Sequence, residues 1–161
     1  MSEKIIILSG GFDPIHSGHI AMFEEARNLG QIVVLLNSDD WLKRKKGNFF
    51  MDWNNRNSVV SNLKGVIDVL PFDDTDGTAV QGILDVAKKY AGHEIFFANG
   101  GDRNKDTTPE SKFCKENSIN ELFNIGGGKT AASSDILRLW KDSPMERPWG
   151  EWHCYKEFNI D

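Results

Sequence analysis

The stretch Ser9-Gly10-Gly11-Phe12-Asp13-Pro14-Ile15-His16-Ser17-Gly18-His19 decides how the rest of the chain reads. It follows a run of strand character, Lys4–Leu8, and leads into an amphipathic segment, Ile20–Leu29. Its glycines and histidines therefore occupy a strand-to-helix turn. In an open α/β sheet such a turn presents backbone N–H groups and a helix N-terminus to an anion. Each imidazole adds an N–H donor, and His16 and His19, three residues apart where a helix starts, can point the same way past Gly18. Gly18 has no side chain to keep a phosphate from the backbone. A metal pair is the alternative reading. It would need a third ligand, and Asp13 is the one candidate, since His93 and His153 stand in unrelated contexts.

Outward from this turn the chain alternates. Gln31–Leu36 reads as a second buried strand, with Gly30 stopping the preceding helix as a C′ residue. Asn37–Gly47 follows as a polar segment carrying the basic run Lys43-Arg44-Lys45-Lys46. Asp52 is expected to cap a helix over 53–63. Val66–Leu70 is a third strand, and Thr78 is the expected cap of a helix from Ala79 to Tyr90, whose apolar face is Ile83, Val86, Ala87 and Tyr90. Glu94–Ala98 is a fourth strand, Thr108-Pro109 the N-cap and first residue of a short helix, Ile119–Ile125 a fifth strand. Ser133-Ser134 opens a last helix. Five strands alternating with helices predict a doubly wound, five-stranded parallel sheet, Rossmann-like in plan, whose ligand binds beyond the C-terminal strand edge. The notable motifs all fall just after strands, the first, second, fourth and fifth.

Bulk properties narrow the class. At 161 residues the chain is most simply one domain, and its net charge of −5 argues against a general nucleic-acid surface. No apolar stretch approaches bilayer length, and the N-terminal apolar run, Ile5–Leu8, is too short for a secretory signal. Cys114 and Cys154 lie far apart with no CxxC spacing, which indicates neither a zinc site nor a disulfide framework. The expectation is a cytoplasmic protein with no membrane or nucleic-acid partner.

The string GGFDPIHSGH resembles the signature of the cytidylyltransferase-like, or HxGH, nucleotidyltransferases, a superfamily that includes glycerol-3-phosphate cytidylyltransferases and heptose-phosphate nucleotidyltransferases. The resemblance covers roughly residues 4–140. It implies that His16 and His19 bind the triphosphate and stabilise the transition state, with Gly10, Gly11, Phe12 and Gly18 beside the nucleotide. NSDDWLKRKKG is similar to the heptose enzymes' Asn-Ser-Asp, spacer, Lys-Arg-Leu-Lys-Gly, with Lys45 in place of leucine. This makes Lys46 the phosphate-contacting lysine, Asp39 an acceptor contact and Arg44 a bidentate phosphate grip, while Lys43 and Lys45 read as surface. Arg56 matches the family's arginine in the following helix; a helix-surface arginine is the plain alternative. Asn99-Gly100-Gly101-Asp102 resembles the Gly-Gly-Asp loop beside the nucleotide, and Arg103 stands where the heptose enzymes carry an aromatic residue, on the substrate side.

Gly126-Gly127-Gly128-Lys129-Thr130 is not a Walker A loop, because its first glycine would fall on Phe123. KTAASSDILR instead resembles the family's closing serine motif, which assigns the β and γ phosphates to Ser133 and Ser134. A plain serine N-cap uses the same geometry.

The resemblance implies transfer of a nucleoside monophosphate from CTP or ATP to a phosphorylated small molecule, a sugar or polyol phosphate, with Mg²⁺ on the triphosphate. No protein ligands for the metal and a homodimer are expected. A nucleotide-binding regulatory or assembly module without turnover is the other reading. By the resemblance, residues 1–142 are expected to form the nucleotidyltransferase domain. The tail, 143–161, breaks the alternation: its ERPWGEW resembles the start of cupin-type sugar-phosphate isomerases, and Trp149, Trp152, Tyr155 and Phe158 are too apolar to stay exposed. It reads as a junction to a second domain or as an arm packing on the body or a partner chain.

Overall fold

A computed structural model describes residues 3–100, 108–127 and 132–142. Five strands and six helices follow one another as β1 (Lys4–Gly10), α1 (Ser17–Leu29), β2 (Gln31–Leu36), α2 (Asp39–Lys46), α3 (Trp53–Val60), β3 (Val66–Leu70), α4 (Val80–Lys89), β4 (Glu94–Gly100), α5 (Pro109–Glu116), β5 (Asn120–Ile125) and α6 (Ser133–Asp142). All strand pairs are parallel, in the order β3-β2-β1-β4-β5. The chain winds outward from β1 to β3, returns to the other side of β1 for β4, and ends at β5. The switch point lies between β1 and β4, where the strand ends part and leave a crevice.

The central strands are buried on both faces, as a parallel sheet covered by helices requires. Alternate residues divide between two cores. Ile6, Leu8, Ile32, Val34 and Leu36 pack with Phe23, Ala26 and Val60. Ile5, Ile7, Val33 and Leu35 pack with Ile83, Val86, Phe97 and Cys114. Each such side chain contributes about 1.5–3 kcal/mol by leaving water, so β1 and β2 form the rigid centre.

Four local expectations are corrected. Residues 39–46, read only as part of a polar segment, form a helix: the Ser38 side chain accepts from Trp41 N, Asp39 and Asp40 occupy the first turn, and Gly47 ends it at φ 89°. Only Leu42 is buried in it, so apolar periodicity was too sparse to reveal it. Gly30 is extended, with φ 178°, and its role is close approach: a Cβ there would lie 2.5 Å from the Lys4 carbonyl oxygen. α4 starts at Val80, one residue later than expected, with Ala79 rather than Thr78 at the cap position, and the Ala79 N–H is taken by Glu110 Oε1 of α5 at 2.9 Å. α3 ends at Val60 and is capped, as expected, by Asp52.

Candidate active site

A cavity of about 710 Å³ opens beyond the C-terminal ends of β1 and β4. The turn after β1 forms its floor. Phe12 is left-handed there, with φ 50°, and its ring is buried edge-on to His19 and Phe23 at 4.9 and 5.5 Å. Gly11 lies close under α2: a Cβ there would be 2.7 Å from Leu42 Cδ2, which would have to shift.

His16 and His19 both line the cavity, their rings stacked at 3.8 Å and 22°. His16 is the N-cap of α1: its Nδ1 accepts from Gly18 N at 3.1 Å, and His19 Nδ1 accepts from His16 N at 3.2 Å. Burial and the neighbouring His16 lower the pKa of His19 from 6.5 to about 4, so His19 is neutral at ordinary pH.

Asp13, 2% exposed, fastens this turn to the chain after α2. Its carboxylate accepts from Phe50 N at 2.6 Å and Met51 N at 2.7 Å, and lies 3.5 Å from Lys46 Nζ. Lys46 also donates to the Asp13 carbonyl and lines the cavity. The basic side chain thus arrives beside the histidines by way of Asp13.

The expected acceptor contacts separate. Arg56 is fully buried and does not line the cavity, which corrects its assignment as a substrate contact. Its guanidinium donates to the carbonyls of Met51 (2.9 Å), Gly11 (3.0 Å) and Asn37 (2.8 Å) and to Asp39 Oδ1 (2.6 Å). A fork of this reach joins the loops after β1 and β2 to α3. Asp39 is therefore the partner of a buried arginine, and it too lies outside the cavity lining. Arg44 donates to the Asp74 carbonyl at 2.9 Å and is 47% exposed. Asp74 in turn accepts from Asn37 Nδ2, Ser38 N and Ser38 Oγ.

Lys45, expected at the surface, is exposed and also lines the cavity, its ammonium 4.4 Å from the ring centre of Trp41, one turn back on α2. Trp41, Thr78 and Glu110 line it as well and were not anticipated. The (i, i+4) spacing of Trp41 and Lys45 was the available signal once the helix is recognised. Glu110 had none, since its partner Ala79 is 31 residues away.

On the β5 side, Gly126 is left-handed at φ 82°, and a Cβ there would lie 2.8 Å from Met22 N. Ser133 and Ser134 line the cavity from the first turn of α6, where N–H groups have no intrahelical acceptor. Ile136 N bonds to Ala132 O, so both serines sit inside the helix, and Ser133 Oγ donates to the Pro14 carbonyl at 2.7 Å. Gly100 lines the cavity at the end of β4. Gly101, Asp102 and Arg103 lie outside the described residues, as do residues 128–131 and the tail, 143–161.

A parallel sheet with this strand order, a glycine-histidine turn after β1 and a serine-led helix after β5 can be set beside known proteins. The sequence profile described as cytidylyltransferase-like matches residues 7–138. The chain belongs to the cytidylyltransferase-like family. It is 39% identical over 113 residues to the bifunctional protein HldE of Haemophilus influenzae, an overlap covering 62% of this chain and 24% of HldE. The HldE of Actinobacillus pleuropneumoniae serotype 5b is 35% identical over the same length. The chain thus spans about a quarter of the length of these curated relatives. A lipopolysaccharide core biosynthesis protein from Thermoplasma volcanium shares the fold at TM-score 0.60 and 21% identity, covering 80% of this chain and 100% of that one. A putative nicotinate-nucleotide adenylyltransferase from Vibrio parahaemolyticus does so at TM-score 0.54 and 18% identity, covering 85% and 86%. The cytidylyltransferase-like sheet is thus the expected nucleotidyltransferase fold. Among the described residues, no helix is long and apolar enough to cross a membrane.

Proposed function

We propose that this chain transfers a nucleoside monophosphate from CTP or ATP to a phosphorylated small molecule, a sugar or polyol phosphate. A phosphate oxygen of the acceptor attacks the α-phosphorus. The bond to the bridging oxygen breaks, and pyrophosphate leaves with the electron pair. The observation that carries the reading is the meeting, in one cavity, of the paired imidazoles, Lys46 and the first turn of α6. These are donors, and the carboxylates beside them, Asp13 and Glu110, already accept backbone N–H groups. Such donors suit a reaction driven by in-line positioning and charge stabilisation.

In this reading His16, His19 and Lys46 stabilise the charge that develops on the phosphates. Gly10, Gly11, Phe12 and Gly18 form the phosphate cradle, and Ser133 and Ser134 hold the β and γ groups. Gly101 and Asp102 on the nucleotide side, and Arg103 and Arg44 on the acceptor side, are assigned by resemblance. Magnesium fits as an ion held by the triphosphate oxygens. Among the described residues no group of three or more His, Cys, Asp or Glu could hold a metal ion, and both oxygens of Asp13 already accept backbone N–H groups. When bound there, the ion neutralises polyphosphate charge.

Pyrophosphate release across CTP, ATP, GTP and UTP, each with a panel of sugar and polyol phosphates, tests the proposal. Turnover with at least one pair is expected, and His16→Ala or His19→Ala should each lower it by ~10²–10³-fold. Nucleotide binding without turnover for every acceptor would instead identify a regulatory module, and alanine variants of undiminished rate would remove the histidines from the chemistry.

A further inference from the structure

The two histidines do a second job, and it constrains the first. A neutral imidazole has one N–H donor and one acceptor nitrogen, and a backbone N–H can only donate. Gly18 N points at His16 Nδ1, and His16 N points at His19 Nδ1. Both Nδ1 atoms must therefore present a lone pair. We propose that His16 and His19 cap the first turn of α1 through Nδ1, and that this reciprocal cap locks both rings in the Nε2–H tautomer, so the donors offered to a polyphosphate are set before it arrives.

The cap position of a helix is usually held by Ser, Thr, Asp or Asn, whose short side chains reach the N–H groups of the second and third residues. Histidine reaches the same atoms because Nδ1 stands where the Oδ1 of asparagine stands. Unlike asparagine, it extends past the cap and carries a proton on the far side of the ring. A ring flip would put a C–H against the backbone N–H and forfeit the bond. Stacking of the two rings and the edge of Phe12 against His19 further oppose it. Protonating either Nδ1 removes its acceptor. Burial of His19 and its low pKa act in the same direction. That these Nε2 donors serve a phosphate rests on the function proposed above; the lock itself does not.

Long-range ¹H–¹⁵N correlation spectra of the histidine-labelled full chain read the tautomer directly, at pH 7.5, with and without magnesium tripolyphosphate. His16 and His19, assigned by their loss in H16N and H19N, should each show one pyridine-like Nδ1 and a protonated Nε2 in both states. A protonated Nδ1, or averaging between tautomers, would overturn the lock whether or not the protein turns over. A pair of substitutions gives an independent readout. His19→Asn keeps an oxygen at the Nδ1 position and loses the donor, so the melting temperature should hold within about 2 °C while transfer falls ~10²–10³-fold. His19→Gln keeps a donor near the Nε2 position and loses the cap. It should melt about 2–4 °C lower and retain more of the rate than H19N. Equal losses of stability in both variants would overturn the capping role.

Discussion

The two sides of the cavity are fastened to the same sheet in different ways. On the side of β1, β2 and β3, three buried side chains stitch the loops together. Asp13 joins the histidine turn to the chain around Phe50 and Met51. Arg56 gathers carbonyls from Gly11, Asn37 and Met51. Asp74 ties the loop after β3 to Asn37 and Ser38. On the side of β5, α6 buries no residue, and Ile136, Leu139 and Trp140 of its apolar face are exposed. Its contacts with the rest of the molecule include Ser133 Oγ on the Pro14 carbonyl and the edge of Phe50 against Trp140 at 6.2 Å. The imidazoles and Lys46 thus stand on a preorganised polar framework, while among the described residues the serine-bearing helix has few buried contacts. Elements with little buried surface open first, so the donor groups of α6 belong to the more adjustable half.

The comparison breaks most visibly at Arg56. Arg56→Ala leaves the carboxylate of Asp39 and three carbonyls without their donor, and the cost should be about 3–5 kcal/mol in urea unfolding. Arg56→Lys should recover only part of it, because an ammonium cannot span the positions the planar fork reaches. A loss below about 1 kcal/mol would show that the framework is not what holds this side.

A graded effect is expected from acid. His19 has a pKa of about 4 when folded against 6.5 ordinarily. Between those values the unfolded chain binds the extra proton, so stability rises with pH across the window. The contribution is complete above pH 6.5 and is lost progressively as pH falls toward 4. Melting curves from pH 7.5 to 4 should show this decline, and the His19→Asn variant should decline less. An unchanged profile in the variant would assign the acid sensitivity elsewhere.

The smallest effect is expected at the adjustable side. Ser133→Ala removes one hydrogen bond to Pro14 and should cost about 0.5–1.5 kcal/mol at most. Amide exchange should quicken in the first turn of α6 and stay unchanged in α2 and α3. Faster exchange in α2 as well would mean that the two halves open together.

Much of this was legible in the sequence, and the exceptions share a cause. Strand positions were readable because a short, β-branched or leucine-rich run bounded by turn residues is a local pattern: Gln31–Leu36 and Val66–Leu70 are observed at their expected bounds. The helix 39–46 escaped notice because eight residues with one buried side chain carry little periodicity, although Ser38, the paired aspartates and Gly47 are all terminus signals. Arg56 was recognised as important and assigned the wrong work. A guanidinium bound to three main-chain carbonyls leaves no trace in the residue types around it. The same holds for Glu110, which meets α4 through the Ala79 N–H, and for Lys45, which reaches the cavity only because α2 turns it there.

By itself, the sequence determined the alternation of strands and helices, the doubly wound sheet, and the histidines, lysine and serines that meet at its edge. Those follow from local periodicity, turn chemistry and spacing, which neighbouring residues encode. Tertiary structure alone decided which cations line the cavity and which are buried in construction. It also decided that the histidines cap the helix they stand on, and that one wall of the cavity is bound more firmly than the other. Each of these depends on which backbone N–H or carbonyl a side chain meets across the fold. Every residue but proline presents the same pair of groups, so no residue type announces the match.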